Sequence, residues 1–276
     1  MKKRLRSLCI LSICFSCMGH TNAQQENKPT TTNGKTLMAI FAHPDDEIVI
    51  SPLLSKYAKE GANIYLVLVT DGSKGVTSHA AIPAGDVLAK VRAEEALCVT
   101  KTLGINAPIF LNYTDGDLAL NENLYSLDEK IDSLFVKHQP NVVITFGPDG
   151  EYGHSDHRMV SNIVTEVFQR EASDTLEQLL YYGFPKEAEK KDLTLNTSLV
   201  QWLSENLKTT QKRFLTYRIS FDKKDLKLGH KASNCHKSQY TPEAIDDLFA
   251  MMGQTAGIIY LRPWNGSKIL KETIFE

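Results

Sequence analysis

The chain has 276 residues, 42% hydrophobic and 23% charged, with a formal net charge of −2. These values suit one large globular domain, or one domain with a small appendage. They leave no basic footprint for nucleic acid.

Lys2, Lys3, Arg4 and Arg6 form a positive n-region, and Leu8 to Gly19 is apolar and small. Thr21-Asn22-Ala23 offers small residues for a signal peptidase, so residues 1–23 read as a signal peptide. The apolar run falls well short of the ~20 residues that span a bilayer, which predicts no stable membrane span. Phe15 and Cys14 before Ser16-Cys17 disfavour a lipoprotein cleavage site. The expected destination is periplasmic or secreted. Cys9, Cys14 and Cys17 leave with the signal, and Cys98 and Cys235 remain. Cys98 lies among Val91, Leu97 and Val99 on a predicted helix and reads as a buried, inert thiol. Whether it pairs with Cys235 is open at this point.

Residues 24–35 are polar and rich in Thr and Asn, and read as a flexible linker before one domain at 36–276. A strand at about 36–41 ends in a loop over 43–50, and Ser51-Pro52 opens a helix to about Glu60. Ile64 to Thr70 is a continuous apolar run, as in a strand buried on both faces. After a polar loop, a helix at about 84–103 ends at Gly104. A third strand at 108–111, a helix at about 126–138, a strand at 142–146 and a helix at about 157–171 follow. Tyr181-Tyr182 sits in a fifth strand, the pattern is weak from 185 to 212, and strands at 215–220 and 257–261 flank helices at about 223–237 and 242–252. The alternation predicts an α/β, Rossmann-like parallel sheet of order near 3-2-1-4-5, flanked by helices, with additional C-terminal strands.

Two clusters carry the chemistry: His43-Pro44-Asp45-Asp46-Glu47 after the first strand, and Gly153-His154-Ser155-Asp156-His157 after the fourth. Both fall at carboxyl ends, where open α/β sheets bind ligands at a switch point. Acids beside a core strand are costly unless a cation binds them. His43 and Asp46, with one imidazole of the second cluster, suit a catalytic zinc. Asp45 is placed as general base, the remaining histidine for the oxyanion or leaving amine, and Asp156 to hold its tautomer. No G-x-G-x-x-G follows the first strand and no G-x-S-x-G occurs, which argues against a dinucleotide enzyme and a serine hydrolase.

With Thr70-Asp71-Gly72, Arg92-x-x-Glu95, Leu103-Gly104, Asp115-Gly116 and His236-x-Ser238-Gln239, these motifs resemble the PIG-L/LmbE-like de-N-acetylases over about residues 36–240. The resemblance implies a zinc hydrolase of an N-acetylated sugar or glycoconjugate, with Zn2+ on His43, Asp46 and His157. It also implies Asp45 as base, His154 oriented by Asp156 at the tetrahedral intermediate, Tyr152 in contact with it, and Arg92 and Asp115 at sugar-binding positions. Ser155 stands where the family usually has proline. Plainer readings stand beside these. Arg92 with Glu95 makes a helix-surface ion pair, Asp115-Gly116 a turn, and His236 a cap or core residue. Trp202 and Trp264 are packing residues or sugar-stacking rims. A zinc amidase acting on another N-acyl group and a catalytically dead carbohydrate-binding protein are the alternative functions.

Overall fold

The computed structural model describes residues 32–171, 175–186, 195–253, 255 and 257–275. The expected signal peptide and the expected linker up to residue 31 lie outside the described residues. The remaining linker residues, 32–35, are tied to the domain. Thr32 is buried, its backbone and hydroxyl both donating to Glu60 O, and Lys35 Nζ reaches Glu177 at 2.8 Å.

In chain order the elements are β1 (Thr36–Phe41), a 3-10 turn at Asp46–Ile50, α1 (Ser51–Lys59), β2 (Asn63–Thr70), α2 (Asp86–Leu103), β3 (Ile109–Tyr113), α3 (Asn121–His138), β4 (Val142–Phe146) and α4 (Ser155–Glu171). They continue with β5 (Gln178–Tyr182), β6 (Phe184–Pro185), α5 (Ser198–Asn206), β7 (Thr209–Thr210), a second 3-10 turn at Lys212–Phe214, β8 (Tyr217–Ser220), α6 (Lys223–Ser233), α7 (Pro242–Gly253) and β9 (Ile258–Pro263). Three expectations are corrected here. The 43–50 loop contains a helical turn. The helix expected to 237 stops at Ser233, which puts His236 in a loop. The weak 185–212 stretch contains α5 and two very short strands.

Seven strands form one sheet in the order β3-β2-β1-β4-β5-β9-β8. The first five run parallel, and β9 pairs antiparallel with both β5 and β8. β1 lies between β2 and β4, with Ala39 opposite Leu66 on one side and Ile144 on the other. Every residue of β1 and β4 is buried. That explains their largely apolar sequences, because right-handed crossovers put helices on both faces. α1, α2 and α6 pack on one another, and α3 packs on α4. Burial of each Leu, Ile or Val in these strands contributes roughly 1.5–3 kcal/mol. Among the described residues no helix is long and apolar enough to cross a membrane.

The order reverses between β1 and β4. Their carboxyl ends are adjacent, so the loops after Phe41 and Phe146 face each other although over a hundred residues separate them.

Candidate active site

The loop after β1 is fixed before any side chain is placed. Ala42 O accepts from Thr70 N at 2.7 Å and Thr70 Oγ1 at 2.9 Å, which joins the ends of β1 and β2. Asp45 then adopts φ 128°, a left-handed conformation that is costly for a residue with a Cβ. Neighbours hold it there. Asp46 Oδ2 accepts from His43 N at 2.7 Å, Glu47 Oε2 accepts from Asp45 N at 3.1 Å, and Arg92 donates to Pro44 O. The twist sends two consecutive carboxylates in different directions, Asp46 to the histidines and Asp45 to Arg92.

His43 Nδ1, Asp46 and His157 Nε2 converge. Asp46 Oδ2 lies 3.3 Å from the first and Asp46 Oδ1 3.2 Å from the second, and the two nitrogens are 3.2 Å apart. Bonds of about 2.0–2.1 Å from a tetrahedral zinc imply ligand separations of about 3.3–3.4 Å, so the spacing of these two imidazoles and the Asp46 carboxylate suits such an ion. The other nitrogen of His43 faces Asp115 Oδ1 at 3.2 Å and Asp156 Oδ2 at 3.4 Å. Carboxylates behind a ligating imidazole fix its tautomer and raise its basicity.

That arrangement corrects two expected roles. Asp156 is fully buried and faces His43, with Oδ2 accepting from Gly116 N at 2.7 Å. His154 is oriented instead by a backbone group, the Asp156 N–H donating to its Nδ1 at 3.2 Å. Asp115 lines the cavity, but Oδ1 is against His43 and Oδ2 accepts from Lys74 N at 3.0 Å, so it is committed to protein groups. Burial, with the nearby His43 and His157 charges, pulls the His154 pKa down. Tyr152 stands edge-on to His154, His157 and Trp202, and burial beside Asp46 and Glu151 keeps its phenol protonated.

Arg92 is 2% exposed and is not a helix-surface partner of Glu95. It pairs with Asp45 Oδ2 at 2.9 Å and donates to Gly72 O at 3.1 Å. A Cβ on Gly72 would stand 2.6 Å from its guanidinium and one on Gly75 2.7 Å, so both glycines make room for Arg92. Burial lifts the Asp45 carboxyl to about 6, Arg92 opposing this and Asp46 adding to it. A cation on Asp46 removes part of that push.

Sequence reasoning missed Glu151. Its Oε2 lies 3.5 Å from His157 Nδ1, it lines the cavity, and burial with Asp46 and Asp45 raises its pKa strongly. Its place next to Tyr152, just before the second cluster, was the one available signal. Sequence reasoning also left Glu47 and His236 without a shared role. Both are buried, with His236 Nε2 2.5 Å from Glu47 Oε1. Ser238 donates to Glu95 through its backbone and its hydroxyl, both at 2.7 Å. Beside them Cys98 and Cys235 form a disulfide, which corrects the reading of Cys98 as a buried thiol: its side of α2 is exposed. The segment 235–239 is thus a buttress behind the loop that carries Asp45 and Asp46.

These groups open into a cavity of about 440 Å³. One side holds His43, Asp45, Asp46, Arg92, Asp115, Glu151, Tyr152 and His154. The other is apolar, with Ile48, Val76, Phe184 and residues of α5 and α7. Trp202 is on that rim, whereas Trp264 packs against Phe168, 5.9 Å between ring centres.

Residues 38–168 match the PIG-L family, described as GlcNAc-PI de-N-acetylase. A 1D-myo-inositol 2-acetamido-2-deoxy-alpha-D-glucopyranoside deacetylase of Mycobacteroides abscessus is 31% identical over 160 residues, 49% of this chain and 56% of that protein. The chain thus spans little more than half the length of that relative. The N,N'-diacetylchitobiose deacetylase of Pyrococcus horikoshii shares the fold with a TM-score of 0.59 at 21% identity, over 84% of each chain. So does GalB, the 4-carboxy-2-hydroxymuconate hydratase of Pseudomonas putida KT2440, with a TM-score of 0.59 at 13% identity, over 87% of this chain and 99% of that one. One fold thus hosts hydrolase and hydratase names, and the fold alone does not decide the chemistry. The family match includes both clusters and Arg92 but ends before α5, α7 and His236. Residues 38–168, the segment similar to the PIG-L family, supply the charged groups of this cavity.

Proposed function

We propose that the chain is an exported, zinc-dependent hydrolase that removes an N-acetyl group from an amino-sugar substrate. The observation that carries this reading is the convergence of His43 Nδ1, Asp46 and His157 Nε2 beside Asp45, in a cavity that also presents His154. Two imidazoles and a carboxylate suit zinc, and His43, Asp46 and His157 are the residues that would hold it. Such an ion supplies a Lewis acid that acidifies water and polarises a carbonyl oxygen.

The chain's own groups account for the rest. Asp45 takes the proton from the attacking water, and the same proton serves the departing sugar amine. Arg92 keeps that carboxylate in place. Neutral His154 accepts the Asp156 N–H on Nδ1, so its proton is on Nε2, a donor for the oxyanion. Tyr152, protonated, is a second donor on the same side. The relatives' printed names support the acetylated amino sugar. Export is supported by the n-region and apolar run, and by the Cys98–Cys235 disulfide, since cystines persist in oxidising compartments.

The test is metal analysis of the purified protein together with acetate release from a panel of N-acetylated saccharides. Stoichiometric zinc and acetate release from at least one member are expected. Metal-loaded protein that releases no acetate from any of them would sink the reading.

A further inference from the structure

Behind the floor of the cavity lies a buried pair that the reaction just described leaves without a task. His236 and Glu47 are each 1% exposed, and His236 Nε2 lies 2.5 Å from Glu47 Oε1. The other oxygen of Glu47 accepts from the backbone N–H of Asp45 at 3.1 Å. Glu47 thus joins an imidazole 189 residues away to the peptide that carries the base. Packing does not account for a histidine at this position. Its Nδ1 is buried without a hydrogen-bond partner among the described residues, a cost that a phenylalanine of similar size would not carry.

The Asp45 peptide needs a hold. At φ 128° it persists only where its surroundings over-determine it. A relaxed φ would swing the carboxylate away from Arg92, now 2.9 Å off. Arg92 holds one side of this turn through Pro44 O, and Glu47 holds the other. The imidazole behind Glu47 is itself anchored. Cys235 beside it is bonded to Cys98 on α2, and Ser238 donates twice to Glu95 on the same helix, both at 2.7 Å. Gln239 Nε2 donates to Gly75 O, and Thr77 Oγ1 to Ser238 O, both at 2.7 Å, which ties the turn to the loop after β2 as well. His236 therefore meets Glu47 from a fixed base.

Given the deacetylase reading, on which its kinetic consequence rests, we propose that His236 is a positioning residue for the reaction. Through Glu47 it fixes the Asp45 N–H, and with it the direction of the carboxylate that takes the proton from water. It touches neither the substrate nor the metal ligands. The base in the first cluster is thereby aimed by a residue that enters the fold after β8.

Three variants separate this role from packing. His236→Phe keeps a ring and removes the donor, His236→Asn has an amide that stops short of Glu47, and His236→Gln carries an amide N–H at similar reach. The first measurement needs no turnover: hydrogen exchange at the Asp45 amide, followed by NMR. Exchange is expected to be about tenfold or more faster in the Phe and Asn variants, and close to wild type in the Gln variant. The Asn variant keeps the test open if the Phe variant does not fold. Wild-type protection of the Asp45 amide in either donor-less variant overturns the proposal. The second measurement is kinetic, on a saccharide that releases acetate. The donor-less variants should lose about 10–100-fold in kcat with KM within about twofold, and the Gln variant should recover most of the loss. In Asp45→Ala protein the same change should lower the residual rate by less than about twofold, because His236 acts through Asp45. An equally large loss in that background overturns the proposal. If no saccharide releases acetate, the deacetylase reading fails, and hydrogen exchange still decides whether His236 holds Asp45.

Discussion

The polar floor of the cavity and its apolar cover are held by different means. On the floor, charged side chains are tied to one another: Asp45 to Arg92, Asp46 to His43 and His157, Asp115 and Asp156 to His43, and Glu47 to His236. Among the described residues the cover has no such mesh of charged groups facing the cavity. Its helix α5 is anchored at the start by Asp247 and leaves apolar side chains in solvent. Groups that move protons need fixed positions to a fraction of an ångström, whereas a wall that binds by apolar contact tolerates shape changes. The difference teaches that the proposed chemistry and the apolar wall sit on separate parts of this chain.

Four changes test that separation. The largest effect is expected from Asp45→Ala, which should lower kcat by about 10²–10⁴-fold while zinc content, read by metal analysis, stays stoichiometric. Near-normal turnover would remove Asp45 from the mechanism. Next is loss of the Cys98–Cys235 disulfide in Cys235→Ser. A cross-link between residues 137 apart should be worth about 2–5 kcal/mol, so the melting temperature falls clearly and reductant has little further effect. An unchanged melting temperature would show that the buttress holds without it. Arg92→Met should cost about 10–100-fold in kcat with little change in KM, because it touches Asp45 and Pro44. A rise in KM alone would return Arg92 to sugar binding. The smallest effect is expected from Asp247→Ala, a loss of about 1–3 kcal/mol in stability, with protease sensitivity confined to α5. If kcat fell as steeply as in the Arg92 variant, floor and cover would not be separable.

Much of this was legible in the sequence for a physical reason. Strands such as Ile64 to Thr70 are buried on both faces, so their sequence is continuously apolar and their order follows from crossover rules. His43, Asp46 and His157 could be singled out because polar groups at a switch point leave the ends of such strands, and the structure brings the three together. The roles of Asp115, Asp156 and Arg92 were less so. Each is a polar residue near the site, and only coordinates tell which oxygen or nitrogen it faces. Asp156 was expected on His154 and is on His43, two imidazoles that stand 4.8 Å apart between ring centres. The α5 region gave a weak pattern because its apolar face borders a cavity on one side and water on the other. Cys98 misled because its apolar neighbours in sequence lie around the helix, while Cys98 itself turns outward to Cys235.

The cystine between Cys98 and Cys235 has a consequence for the chain as a covalent object. It closes a ring that contains Tyr152, His154 and His157, together with β3, α3, β4, α4, β5 and α5. One backbone cut anywhere inside that ring yields two pieces that remain a single molecule. Singly nicked, oxidised protein should therefore run as two bands on a denaturing gel only after reduction.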